Sequence, residues 1–289
     1  AVVIYGDTNS TIAAALAAAK IHVPVVHIEA GLRSFNKAMP EELNRIAADH
    51  MSSLLFVPTQ AGMTNLAKEG FDLNVKEKAH IDAPNVYHCG DIMYDNSLYF
   101  AQMSREKSGI ISYYNLTPHS YILCTIHRDT NTDDPTALQA IFDALLEVID
   151  QTQLQVILPI HPRTQNKMEA LLSPHFLEKI KAQTKLILCP PAGFLDMIAL
   201  EENAKLIITD SGGVQKEAYF FAKPCVILRE QTEWVEVLQT GAAVLCGSNK
   251  EQIVKSAIQL LDLHVQTDPS IFGDGKAAQF ICQKIISDL

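Results

Sequence analysis

Six cysteines are scattered singly through the 289 residues, and no two have the CxxC spacing of a zinc knuckle or a redox pair. Most sit inside apolar runs such as LILC and PCVIL and read as buried free thiols of a reducing compartment. Long hydrophobic stretches are also missing, and those present fall well short of the roughly 18–20 residues of a membrane span. No charged segment leads into an apolar one at the start, so no signal peptide is expected. Basic residues are in deficit, 23 Lys and Arg against 33 Asp and Glu, for a net charge of −10. Nucleic-acid binders need a basic face, which this composition argues against. Disorder is excluded by a 48% hydrophobic and only 19% charged content. These absences predict a soluble, cytoplasmic protein with neither a membrane nor a nucleic acid as partner.

What is present is an alternation of short apolar runs with segments of helical period. In the first part the runs are Ala1–Tyr5, Pro24–Ile28, Leu54–Val57 and Val86–Cys89. Helical patterns over Ser10–His22, Glu41–Met51, Gln60–Lys68 and Asp95–Ser104 separate or follow them. In the second part the runs are Tyr121–Ile126, Gln155–Ile160, Lys185–Cys189, Leu206–Thr209, Cys225–Leu228 and Ala243–Cys246. Their helices fall at Pro135–Asp150, Gln165–Leu172, Leu195–Glu202, Val214–Phe221, Trp234–Thr240 and Lys250–Leu261. Continuous apolar strands signal a parallel sheet covered on both faces, and the alternation predicts an α/β, doubly wound fold. The polar, glycine-bearing Lys107–Ser120 is the expected linker between a domain over 1–106 and another over 120–274. The chain opens inside a strand, and four strands are few for such a sheet. The first domain is therefore expected to be incomplete, lacking an amino-terminal segment.

Ligands of open α/β sheets bind at the carboxyl ends of the strands, which makes the segments leaving those ends the ones to read. Asp210-Ser211-Gly212-Gly213 precedes a helix, where glycines and unpaired N–H groups suit a phosphate. An ordinary strand-to-helix turn with an Asp or Ser cap would look the same. This turn matches neither GxGxxG nor GxxxxGKS/T, so it supports no dinucleotide fingerprint or P-loop. His127-Arg128 and His161-Pro162-Arg163 add cations at equivalent edges, and arginine suits phosphate through its bidentate geometry. Asp7 and Glu29 end two apolar strands, where a carboxylate needs a partner or a purpose. Asp7 could instead cap the next helix. Glu41 follows Pro40 and, taken alone, fits the acidic first turn of a helix. The acids fall in the first half and the basic, glycine-bearing turns in the second. That division suggests a cleft between two domains.

Taken together, YGDTNST, HIEAGLRSFN, MPEELNR, IHPR, TDSGGVQKEA and LREQTEWVE resemble the non-hydrolysing UDP-N-acetylglucosamine 2-epimerases, in order and across essentially the whole chain. HxEAGLR and TDSGGxQ(K/E)EA are the most specific of these. The resemblance implies the glycosyltransferase-B architecture, with two Rossmann-like domains facing a cleft and the last helix, 275–289, packing back on the first. It implies a UDP-sugar substrate and interconversion of UDP-N-acetylglucosamine and UDP-N-acetylmannosamine. UDP is eliminated across C1–C2 to give 2-acetamidoglucal and is then added back. Carried over residue by residue, Asp7, Glu29 and Glu41 match the family's catalytic acids and His161 its catalytic histidine. Arg128, Ser211, Gly212 and Gly213 match positions that hold the diphosphate, Glu217 the ribose hydroxyls and Phe194 the uracil. No cofactor and no metal is implied, and a homodimer serving surface polysaccharide supply is. A GTRPE-like turn of the family, which would add basic residues to the diphosphate site, is expected to belong to the missing amino-terminal segment. The wording of YGDTNST and LRSFN…MPEE lies nearer a branch acting on UDP-2,3-diacetamido-2,3-dideoxyglucuronate. Rival readings are a glycosyltransferase of the same architecture, a hydrolysing epimerase and an inactive UDP-binding module.

Overall fold

Ten strands of three to five residues run through the chain, and all of their pairings are parallel. The computed structural model describes residues 1–289. It divides into two compact units, Ala1–Leu98 with Asp268–Leu289, and Tyr99–Thr267. The fold is α/β, with a Rossmann-like parallel sheet in each unit.

The first unit alternates β1 (Val2–Tyr5), α1 (Asn9–Lys20), β2 (Val25–Ile28), α2 (Pro40–His50), β3 (Leu54–Val57), α3 (Gln60–Lys68) and β4 (Asn85–His88), followed by α4 (Ile92–Lys107). Local chemistry sets the helix starts. Thr8 and Thr59 cap α1 and α3 through their hydroxyls, and Pro40 occupies the first turn of α2. The strands pair in the order β1-β2-β3-β4. β3 is buried along its whole length, whereas Val3 and Tyr5 of the edge strand β1 are exposed.

The second unit continues with α5 (Ile110–Tyr113), β5 (Tyr121–Thr125), α6 (Asp129–Thr132), α7 (Pro135–Thr152), β6 (Gln155–Pro159), α8 (Pro162–Leu171), α9 (Pro174–Ala182) and β7 (Leu186–Cys189). Then come α10 (Phe194–Asn203), β8 (Leu206–Thr209), α11 (Gly212–Phe220), β9 (Cys225–Ile227), α12 (Val235–Gln239), β10 (Ala243–Leu245) and α13 (Lys250–Leu260). Its six strands lie in the order β10-β9-β8-β5-β6-β7. The chain therefore builds outward from β5 to one side, then returns to build outward from β8 to the other. That reversal is the topological switch point at which doubly wound sheets bind ligands. The core gathers Ile122, Leu138, Ile141, Leu145, Val156, Ile208 and Ile253, all fully buried. Each contributes about 1.5–3 kcal/mol by leaving water.

Two last helices, α14 (Pro269–Phe272) and α15 (Ala277–Asp288), belong to the first unit. α15 buries Ala277 and Ile281 against Val26, Leu54, Phe56 and Tyr87. Its first N–H groups, of Ala277 and Ala278, donate to the Asp95 carboxylate at 3.1 and 2.8 Å.

The segment expected as a linker is partly helical. α4 runs on to Lys107 and α5 follows at once. The second half of α4 is held because Ser104 donates to the Leu195 carbonyl at 2.7 Å and Arg105 pairs with Glu202. α9 was not expected either. Ser173 caps it and Pro174 opens it, a start signal hidden in a stretch of mixed polarity.

Candidate active site

At the switch point of the second sheet, β5 and β8 run side by side and both end in turns built around one carboxylate. Asp210 is fully buried just beyond β8. Its oxygens accept from the backbone N–H groups of His127 and Arg128 at 3.0 Å, from the Asn131 amide at 3.0 Å and from His127 Nδ1 at 2.9 Å. Burial pushes this carboxyl up, but the His127 hydrogen bond and charge, the Arg128 N–H and Asn131 outweigh it and hold it below the usual range. The same residue thus ties the His127-Arg128 turn to the start of α11.

There Ser211 caps the helix, accepting from the Val214 N–H at 3.4 Å, while Gly212 and Gly213 form its first turn. A Cβ at Gly212 would stand 3.7 Å from Trp234 Nε1 and 3.8 Å from Arg229 Nη1. A cation and an indole N–H therefore flank the helix start. Arg229 is itself held bidentately by Glu233 at 3.0 Å. Backbone N–H groups, the helix dipole and nearby guanidinium groups make this a ready anion site. Lys216 is buried with its ammonium 4.0 Å from the Trp234 ring centre, which fixes the indole.

The other expected residues of this unit lie along the same sheet edge. His161 ends the β6 connection and caps α8, its Nδ1 accepting from the Arg163 N–H at 3.2 Å. Arg163 is tied to Asp129 and to Asp133, the latter at 2.9 Å, and belongs to a surface ion network. Phe194 opens α10 beyond β7 and is 55% exposed, with its ring edge-on to Phe100 at 4.9 Å. Glu217 is half-buried on α11. Fully buried Glu201 lies close enough that burial and the Glu217 charge together push its carboxyl well above the usual range.

In the first unit Asp7 follows β1 and Glu29 follows β2, on neighbouring strands. Glu29 reaches Gly6, the residue before Asp7, where a Cβ would stand 3.4 Å from Glu29 Oε2. Glu29 has φ +71, a left-handed conformation that residues with side chains rarely adopt and that functional sites often retain. Gly31 has φ +79, and a Cβ there would be 2.7 Å from the Gly62 carbonyl oxygen, so only glycine fits. Glu41, in the first turn of α2, is exposed.

The face of α2 turned inward is polar, and although MPEELNR contains most of it, the sequence assigns Glu42, Asn44, Arg45 and Asp49 no role. Glu42 accepts from the Ser34 and Phe35 N–H groups at 2.8 and 2.9 Å and so shapes the loop after β2. Asn44 donates to the Asp7 carbonyl at 2.9 Å, and Arg45 pairs with the Asp7 carboxylate. Asp49 holds His27 at 2.7 Å, the Gly31 N–H at 3.1 Å and Arg33 at 2.7 Å. Glu42, Arg45 and Asp49 recur at i, i+3 and i+7, one helix face. That spacing was the available signal, obscured because buried stripes are normally apolar. No group of three or more His, Cys, Asp or Glu is placed to hold a metal ion, and no helix is long and apolar enough to cross a membrane.

Comparison with known proteins fits this arrangement. A family profile described as UDP-N-acetylglucosamine 2-epimerase matches residues 1–286. The UDP-2,3-diacetamido-2,3-dideoxy-D-glucuronate 2-epimerase of Pseudomonas aeruginosa is 46% identical over 282 residues, 98% of this chain and 73% of that one. A UDP-N-acetylglucosamine 2-epimerase of Methanocaldococcus jannaschii is 36% identical, over 97% of this chain and 73% of its own. A crystal structure of the M. jannaschii enzyme in complex with UDP-GlcNAc and UDP superposes with a TM-score of 0.83 at 35% identity, covering 98% of this chain and 75% of that one. With its two parallel sheets and a profile match over nearly its whole length, the chain belongs to the UDP-N-acetylglucosamine 2-epimerase family, a family of isomerases.

Proposed function

We propose that the protein inverts C2 of a UDP-linked 2-acetamido sugar, interconverting UDP-N-acetylglucosamine and UDP-N-acetylmannosamine without hydrolysis. The observation that carries this reading is the buried Asp210 turn. It sets Arg128 and the Ser211–Gly213 helix start side by side at the switch point, a grip for a diphosphate. The C2 proton is not next to a carbonyl, so direct deprotonation is very difficult. Elimination avoids this. A carboxylate takes the C2 proton, the C1–O bond breaks with its electrons going to UDP, and C1=C2 forms as 2-acetamidoglucal. In the return step a UDP oxygen bonds to C1 while a proton is delivered to the other face of C2.

Asp7, Glu29 and Glu41 are our candidates for these proton transfers, with His161 assisting. Arg128, Ser211, Gly212 and Gly213 hold the departing diphosphate, whose charge grows in the transition state. Glu217 binds the ribose and Phe194 the uracil. No nicotinamide or metal enters the scheme. We place the enzyme in the cytoplasm as a homodimer, supplying an activated aminosugar for surface polysaccharide. Sedimentation at micromolar concentration checks the dimer.

A second substrate is favoured by one observation. The Pseudomonas aeruginosa relative, named for UDP-2,3-diacetamido-2,3-dideoxy-D-glucuronate, is more similar than the M. jannaschii enzyme, at 46% against 36% identity. The chemistry at C2 would be unchanged. Incubating each UDP-sugar without any acceptor and separating the products tests the reading. A C2-inverted UDP-sugar from either supports it. Free sugar would point to hydrolysis, and no reaction until an acceptor is added would point to a transferase.

A further inference from the structure

His27 is completely buried at the carboxyl end of β2, and both of its ring nitrogens face oxygens that accept hydrogen bonds. Nδ1 lies 2.7 Å from Asp49 Oδ1, and Nε2 lies 2.9 Å from the carbonyl oxygen of Gly6. A neutral imidazole has one N–H and would turn a bare lone pair towards one of these oxygens. A proton moved onto Asp49 Oδ1 would satisfy the same contacts with a neutral ring, but the charge beside that carboxylate opposes it. The other oxygen of Asp49 accepts from the Gly31 N–H and from Arg33 Nη1 at 2.7 Å, and that guanidinium favours the ionised carboxylate.

We propose that His27 is a buried imidazolium at working pH, a positioning residue that fixes the turns carrying Asp7 and Glu29 and keeps a positive charge beside Glu29. Its charge state stands on the hydrogen bonds around the ring and on Arg33 beside Asp49, and not on the catalytic reading. Its part in catalysis rests on the C2-epimerase reading.

The surroundings complete the case. In the sheet register, Ile4 on β1 and Leu55 on β3 flank His27, so neither neighbouring strand offers a charge there. The charged groups come from elsewhere: Asp49 on α2, Glu29 and Arg33 after β2, and beyond them Asp7 paired with Arg45. Arg33 also meets Glu69 at 2.7 Å, and Glu69 lies 3.3 Å from His50. Charges therefore alternate along His27, Asp49, Arg33 and Glu69. Neutralising one member leaves a buried charge uncompensated. Burial pushes the imidazole down, but Asp49, the Gly6 carbonyl and Glu29 outweigh it and lift His27 above the ordinary histidine value.

This network explains how the two turns keep their shape. Gly6 has φ +64 and its carbonyl is pinned by His27, which sets the direction of Asp7, the next residue. Asp49 draws in the Gly31 N–H and Arg33 on the far side of Glu29, holding that residue at its positive φ. The HxEA segment therefore supplies a carboxylate and, two residues earlier, the cation that steadies it.

The test is to label the protein with ¹⁵N in its histidine rings and record spectra from pH 6 to pH 8. His27 can be assigned by its loss in His27→Gln, or through its contacts with Ile4 and Leu55 if that variant does not fold. Both ring nitrogens should remain protonated throughout, and a bare ring nitrogen at pH 7 would overturn the proposal. In His27→Gln, kcat should fall about 10²-fold through misplaced carboxylates, with KM little changed. The acidic limb of the kcat profile should also move to higher pH, because Glu29 loses its cation. A fall in kcat with the profile unmoved would overturn the electrostatic part. Absence of C2 chemistry in the wild-type protein would sink the epimerase reading, yet the ring-nitrogen result would still decide the charge state.

Discussion

Adjacent residues divide the work at the start of α2. Glu41 is exposed, while Glu42 is buried and holds the Ser34–Phe35 loop. Glu41→Gln should leave stability within about 0.5 kcal/mol and, on the catalytic role proposed for it, reduce turnover ~10²–10⁴-fold. Glu42→Gln should lose about 1–3 kcal/mol, because its amide NH2 would face one of these part-buried N–H donors. Urea unfolding and initial rates on the same two variants separate these outcomes. Asp210 makes a second case. Asn keeps one accepting oxygen where the carboxylate offers two, so Asp210→Asn should weaken UDP binding about 10–100-fold by calorimetry. Because its folded pKa is depressed, the stability Asp210 contributes is present above roughly pH 4, the unfolded value. It is lost as pH falls through the lower folded value, which acid titration of the melting temperature should reveal. The sequence made Asp7, Glu29 and the glycine-bearing turn legible because they stand at strand ends. It could not show that Asp210 and Asp49 are the organisers, since their partners lie up to 83 residues away and such pairings are a product of the sheet order.

At the scale of elements, the α2 face and the docking of α15 matter most. α15 carries no capping side chain of its own; Asp95, 182 residues earlier in the chain, satisfies its first N–H groups. Asp95→Ala should therefore cost about 1 kcal/mol, the usual loss of a cap. Ile281→Ala should cost about 2–5 kcal/mol through the cavity it leaves against Val26, Leu54 and Phe56. Protease sensitivity near the carboxyl end should rise in both variants. Strands and long helices were readable to within a few residues because apolar period and cap chemistry are local. α3 and β3 match their expected bounds at both ends. α8 begins at Pro162 instead of Gln165 because His161 caps it, a use of histidine that composition does not announce. α9 escaped notice because only Phe176 and Ile180 of its nine residues are buried, too thin a stripe for a clear helical period.

At the scale of the whole molecule, alternation alone indicated a doubly wound fold, but strand order was beyond a local reading. The return from β7 to β8 on the far side of β5 creates the switch point, and no local pattern encodes it. A chain of net charge −10 nevertheless presents backbone N–H groups, Arg128 and Arg229 around one turn. Local geometry, not overall charge, suits that turn to an anion. The most direct test of the account is to incubate the protein with UDP-N-acetylglucosamine in D₂O and follow C2 by proton NMR, with UDP-2,3-diacetamido-2,3-dideoxyglucuronate in parallel. The account predicts deuterium at C2 together with a C2-inverted UDP-sugar from at least one of them. A sugar that keeps its C2 proton and configuration in both reactions would contradict it.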